Sequence, residues 1–292
     1  MFAVVTDSSI DLSLEQLQAL GVYLVPLDVH FGETTYVDAY ELSPADFYEK
    51  MDAYLPALPK TNCPTAGAFA KAYRQAVADG ADGIVVATIS SGISGTYNSC
   101  VVAAETCADL DVPIRCIDSK ETAGCLSFLI EKACRMRDAS ASVEEAAEVL
   151  GQMVQACDFY IGMETIEYVI AGGRLNEESG GMEGTDSGLT IKGVLTLRKS
   201  DGKVDLVAKP RGIKAQQREV VRFIEDYVAQ HPGAAVRFSH ANATERCDKV
   251  KELLDEKGIA YSSAEPGWLA GLLGVYVGNH SYAVSLMPSE LL

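Results

Sequence analysis

"GIVVATISSGISGTY", residues 83–97, decides how the rest of this chain is read. Its first part is a short uninterrupted apolar run of β type, and a long segment with helical character, "SGTYNSCVVAAETCA", overlaps its end. Four hydroxyl side chains (Ser90, Ser91, Ser94, Thr96) and two glycines lie between them. A continuous apolar strand feeding a helix through a polar turn is the unit of a parallel sheet buried on both faces.

The same alternation extends in both directions. Upstream, "FAVVT" and "VYLVPLDVHF" read as strands and "TYVD" as a short extended piece. "SLEQLQAL" reads as a helix with Ser13 and Gln16 in capping-box spacing, and "SPADFYEKM" as one opened by Ser43 and Pro44. Downstream come strand "PIRCID", helix "TAGCLSFLIEKACRM" and helix "SVEEAAEVLGQMV", the last opened by Ser142 with Glu145 three residues on. After "DFYIGM" the character changes. A Gly-rich run, "AGGRLNEESGGMEGTDSG", leads into two extended runs flanking "SDGK", a hairpin signal. Helix, strand, helix and a final strand "YAVSL" follow. The expected architecture is α/β in two domains. An N-terminal three-layer domain with a parallel sheet covers 1–160, and a C-terminal α+β domain with a mixed sheet covers 161–292.

Composition excludes whole classes of partner. The chain has 292 residues, 48% hydrophobic and 22% charged, which fits a folded globular protein. A net charge of −17 opposes binding to nucleic acid or anionic membrane, since both need Lys/Arg to neutralise phosphate. "GWLAGLLGVYVG" is too short to span a membrane, so no stable insertion is expected. "MFAVVTDSSID" reads as a first strand rather than a signal peptide, and the eight cysteines show no CxxC pair and no metal-ligand spacing with histidine. The expectation is a cytoplasmic protein with reduced thiols and no metal site.

Ligands of open α/β sheets bind beyond the carboxyl ends of the strands, where helix N-termini expose unpaired amides. Three hydroxyl-rich loops fall there: "TDSSID", "PKTNCPTAG" and residues 90–96. Each hydroxyl can equally serve as the cap of its own helix. "GISGT" is not a nucleophile elbow, and none of His30, His231, His240 and His280 sits in a local catalytic signature. An acyl-ester hydrolase or transferase using Ser94 stays open as the alternative. No GxGxxG or GxxxxGK[ST] motif is present.

In order along the chain, "VVTDSSIDLS", "PKTNCPT", "ADGIVVATISSGISGTYNSCVVAAE", "CIDSKETAGC", "YVIAGGRL" and "IKGVLTL" resemble the successive blocks of the DegV family of bacterial fatty-acid-binding proteins. The resemblance implies a long-chain fatty acid held between two domains. It also implies that the acid is presented to a separate fatty-acid kinase for acyl-phosphate formation, so the chain is a carrier without a cofactor. It points to Thr61 and Ser94 as carboxylate ligands, with Asn62, Ser91 and Thr96 as neighbours, and to Arg174 as a residue of kinase contact or phosphotransfer, away from the tail cavity. This chain departs from the family where "SSAEPG" stands for a His-Thr-Gly-Pro-Gly stretch, with Ser263 at the His and Glu265 at a Gly, and where "IKG" at 191–193 lacks a proline. Glu265 is expected to face solvent.

An acyl ligand is physically reasonable. At about 0.8 kcal/mol per buried methylene a 16-carbon tail contributes roughly 11 kcal/mol before the costs of binding. Neutral hydroxyls would then orient the carboxylate while leaving its oxygens nucleophilic. Candidate tail contacts are residues 128–130, 159–163 and 267–274.

Overall fold

The apolar run of the opening stretch is the buried β6 of a four-stranded parallel sheet. The computed structural model describes residues 1–175 and 191–292; positions 176–190, most of the Gly-rich run, lie outside the described residues. The elements are β1 (Ala3–Asp7), α1 (Leu14–Ala19), β2 (Val22–Val25), β3 (Asp28–Phe31), β4 (Thr34–Val37), α2 (Pro44–Tyr54), β5 (Lys60–Asn62), α3 (Ala66–Ala78), β6 (Ile84–Thr88), α4 (Thr96–Thr106), β7 (Ile114–Asp118), α5 (Ala123–Asp138) and α6 (Val143–Ala156). They continue as β8 (Asp158–Gly162), α7 (Glu167–Ala171), β9 (Val194–Leu197), β10 (Val204–Ala208), α8 (Ile213–Gln230), β11 (Ala235–His240), α9 (Thr244–Glu256), β12 (Gly267–Trp268), α10 (Gly271–Val277) and β13 (Tyr282–Met287).

The parallel sheet runs β2-β1-β6-β7. Alternate residues of its strands serve opposite faces. Val5, Ile84 and Val86 pack with Phe69 and Tyr73 of α3 and Cys100 of α4, whereas Val4, Val85 and Ala87 join the cluster that holds α5 and α6. Ser13 and Ser142 both close complete capping boxes. The run "VYLVPLDVHF" is two strands rather than one. Pro26 has no amide to give to a ladder, and the chain turns there from β2 into β3. β3 pairs with β4 and β5 in a small antiparallel sheet, Val29 opposite Thr61.

The mixed sheet runs β10-β9-β8-β13-β11-β12, antiparallel except for β11 beside β12. α8 and α9 cover one face through Val220, Ile224, Val250 and Leu254. Its other face meets α5 and the first half of the chain in one continuous apolar cluster. Sheet membership changes at Asp158, so a division after residue 160 passes through β8. α10 returns to the first half: Tyr48 Oη donates to Leu269 O at 3.2 Å, and Asn279 Nδ2 to Tyr48 O at 3.0 Å. Among the described residues no helix is long and apolar enough to cross a membrane.

Candidate functional site

A cavity of about 250 Å³ lies between the two halves. Its wall is apolar: Leu27 and Ile89 from the first half, Phe159, Ile161, Leu195, Leu197 and Val204 from the mixed sheet, and Leu269, Leu272 and Leu273 from the α10 region. Thr61, Asn62, Cys63, Ser94, Gly95, Arg174 and Tyr276 supply its polar end. Thr61 gets there on β5, a strand where the sequence reads as loop, because the β3 ladder fixes its register. Ser94 gets there on the turn between β6 and α4.

Hydroxyl pairs organise that end. Thr61 Oγ1 lies 2.7 Å from Tyr276 Oη, and Ser94 Oγ lies 2.8 Å from Thr96 Oγ1. Thr96 is fully buried and does not line the cavity; it stands behind Ser94 as its partner. In each pair, a rear hydroxyl that donates frees the front hydroxyl to donate outward. Asn62 lines the cavity with its amide unbonded to any described residue, leaving two more donors at the rim.

Other expectations are corrected. Ser91 turns away, its amide and hydroxyl held by the Asp118 carboxylate at 3.0 and 2.6 Å. The "TDSSID" loop does not reach the cavity either. Asp7 accepts from the Ser9 and Ile89 amides at 2.8 and 2.7 Å, and Ser8 Oγ accepts from Leu27 N at 3.1 Å, so its polar groups knit β1 to its neighbours. Burial raises the Asp7 carboxyl, and burial first of all lifts Asp38 to about 7. Thr65 caps α3, accepting from Ala68 N at 3.2 Å. Residues 128–130 are core on α5, while Phe159, Ile161, Leu269, Leu272 and Leu273 do line the cavity. The expected separation of Arg174 from the tail cavity does not hold. It lines the polar end, its guanidinium 4.7 Å from the Tyr276 ring centre. Ser263 is exposed and bonds only locally, and the Glu265 side chain is 97% exposed beside Lys251, as solvent-facing placement requires.

Beside the polar end the β9–β10 hairpin is strapped to the first half. Ser90 Oγ donates to Gly202 O at 2.7 Å, and Lys120 Nζ to the carbonyls of Lys199 and Ser200 at 3.2 and 3.0 Å. A β-carbon at Gly92 would fall 2.4 Å from Asp201 O, so this glycine of the opening stretch exists to let the hairpin backbone in. Lys199 itself reaches the fully buried Glu121 carboxylate and the Cys157 carbonyl. Burial is the largest single influence and acts to lower its pKa, but Glu121 together with the neighbouring Cys157 and Cys125 outweighs it and holds the ammonium charged above the ordinary lysine range.

A family model described as uncharacterised protein, DegV family, matches residues 1–289. The chain belongs to the DegV family. A DegV domain-containing protein from Deinococcus radiodurans is 32% identical over 287 residues, 98% of each chain. One from Staphylococcus aureus is 27% identical over 253 residues, 87% of each. Among solved structures, a stearic-acid-binding protein from Eubacterium ventriosum superposes with a TM-score of 0.86 at 26% identity, covering 100% of both chains. A fatty-acid-binding DegV family protein from Thermus thermophilus does so with 0.87 at 23% identity, over 98% of this chain and 99% of its own. The DegV α/β architecture, with a parallel four-stranded sheet and a separate mixed sheet, is thus the fold of this chain.

Sequence reasoning misses Tyr276 and the Lys199–Glu121 strap. "GWLAGLLGVYVG" offers only the mixed apolar and phenolic character of Tyr276 as a signal, and 215 residues separate it from Thr61.

Proposed function

We propose that this chain binds a long-chain fatty acid in the inter-sheet cavity, carboxylate at Thr61, Asn62 and Ser94, and presents that carboxylate to a fatty-acid kinase. The observation that carries the proposal is the polarity of the cavity: Thr61, Asn62, Ser94, Tyr276 and Arg174 gather in an otherwise apolar wall whose other hydroxyls, Thr122 and Thr196, are spent on backbone carbonyls. Tail burial supplies the affinity and the hydroxyls the orientation. A carboxylate held by neutral donors keeps an oxygen lone pair for attack on the phosphorus of a bound donor, whose leaving group departs as the acyl phosphate forms. Arg174 at the mouth adds a positive charge where negative charge accumulates in that step.

The proposal takes the chain as a non-catalytic carrier of two domains, the division drawn ahead of β8 at Asp158 rather than after residue 160, working in the cytoplasm; eight free thiols fit a reducing compartment. The stearic-acid-binding relative supports the ligand class. Catalysis by Ser94 has less support, since no histidine lines the cavity among the described residues and the Ser94 hydroxyl is engaged by Thr96. Native mass spectrometry of protein purified from cells tests the reading. A co-purifying long-chain acid, converted to a hydroxylamine-trappable acyl phosphate on adding a fatty-acid kinase and ATP, is the expected result. Ester turnover that disappears in Ser94→Ala would instead establish the enzyme.

A further inference from the structure

We propose that Tyr276 is a positioning residue that selects for an anionic headgroup by fixing the direction of the Thr61 hydroxyl; the proposal rests on the fatty-acid reading above. The geometry around the ring is restrictive. A β-carbon at Gly172 would fall 2.5 Å from Tyr276 Cδ1 and 2.9 Å from Cε1, so the first glycine of "GGR" is the space the ring occupies. Gly173, at φ +66°, turns the chain, and Arg174 folds back over the ring. Arg174 Nη1 donates to Gly172 O at 2.6 Å and Nε to Ile93 O at 3.3 Å. Two of its nitrogens are thereby committed to backbone, and its charge reaches the mouth largely across the aromatic face.

The phenol held there lies 2.7 Å from Thr61 Oγ1, and one of the two must donate. A phenol is far more acidic than an aliphatic alcohol, and a cation over its ring strengthens it further as a donor. Tyr276 therefore donates to Thr61. The Thr61 proton then points into the cavity, where the oxygen of a carboxylate accepts it in a charge-assisted bond roughly twice as strong as one to a neutral oxygen. Without the phenol, Thr61 is free to rotate its proton elsewhere, and the preference for charge weakens.

The test compares palmitate with hexadecanol, which share a tail and differ in headgroup charge. Both are titrated by calorimetry into the full chain and into Tyr276→Phe, Thr61→Val and the double variant. Tyr276→Phe keeps the ring that packs against Gly172 and Arg174. Palmitate affinity is expected to fall about tenfold in each single variant, hexadecanol affinity by less than about twofold, and the double variant to be no weaker than Thr61→Val alone. Equal losses for both ligands, no loss in Tyr276→Phe, or losses that add in the double variant overturn the role of Tyr276. Wild-type protein that binds neither ligand overturns the fatty-acid reading and this proposal with it, a result obtained before any variant is made.

Discussion

The two ends of the cavity use the same residue type for opposite purposes. At the mouth, Thr61 meets another hydroxyl and keeps a proton to offer. Elsewhere in the wall, Thr196 Oγ1 donates to Phe159 O at 2.6 Å and Thr122 Oγ1 to Ser9 O at 3.2 Å. Their donors are consumed by backbone carbonyls, and the threonines act there as apolar lining. The ion pair of Lys199 with the buried Glu121 is spent on holding the hairpin in place. A hydroxyl in a cavity wall is therefore a binding group only when its partner can yield the proton.

The hairpin strap gives the largest expected effect. Lys199→Met leaves the buried Glu121 carboxylate unpaired and should cost about 3–5 kcal/mol of unfolding free energy in denaturant titrations, with or without ligand. A loss below about 1 kcal/mol would mean the strap is not what holds the two halves together.

The first hydroxyl loop belongs with the structural end, and pH exposes this. Burial, opposed by the Ser8 hydroxyl and the Ala39 amide and aided by the Asp7 charge, lifts Asp38 from 3.8 to about 7. A carboxyl raised on folding stabilises the fold while protonated. That contribution is complete below about pH 4 and lost as pH climbs through 7. Asp38→Asn should flatten the fall in stability across this window, by roughly 4 kcal/mol at most, while fatty-acid affinity stays unchanged. A variant with the wild-type slope breaks the assignment.

The sharpest comparison is a threonine swap at each end, and it carries the smallest effects. Thr61→Val with Ser94→Ala should weaken fatty-acid binding by about 3 kcal/mol and leave the melting temperature near wild type. Thr196→Val should lower stability by about 1 kcal/mol, through the orphaned Phe159 carbonyl, and leave binding alone. Calorimetry and thermal melts on the same samples decide it. Were Thr196→Val to alter binding as Thr61→Val does, the division between the ends would collapse.

The sequence showed the division only in part. The parallel half is legible because its strands are continuous apolar runs with capped helices between them, and the β9–β10 hairpin is legible from "SDGK". The small sheet is not: "KTN" is polar, and only the β3 ladder makes a strand of it. Thr61, Asn62 and Ser94, which the family resemblance points to, line the cavity, whereas the orientation of Ser91 depends on where β7 places Asp118, and Ser8 and Ser9 look as available as Ser94 until the carboxylates beneath them are located. Tyr276 escapes because its meaning lies wholly in partners distant along the chain.

That distance has a consequence for synthesis. The parallel sheet is complete once residue 118 has emerged, but Tyr276 follows it only 158 residues later (276 − 118), roughly 8–32 s at ordinary translation speeds. For that interval Leu27, Ile89 and Ile93 form an uncovered apolar wall on a nascent chain that already carries Thr61 and Ser94. On the proposed function, what meets that wall first, a chaperone or a fatty acid, sets whether the chain leaves the ribosome empty or loaded.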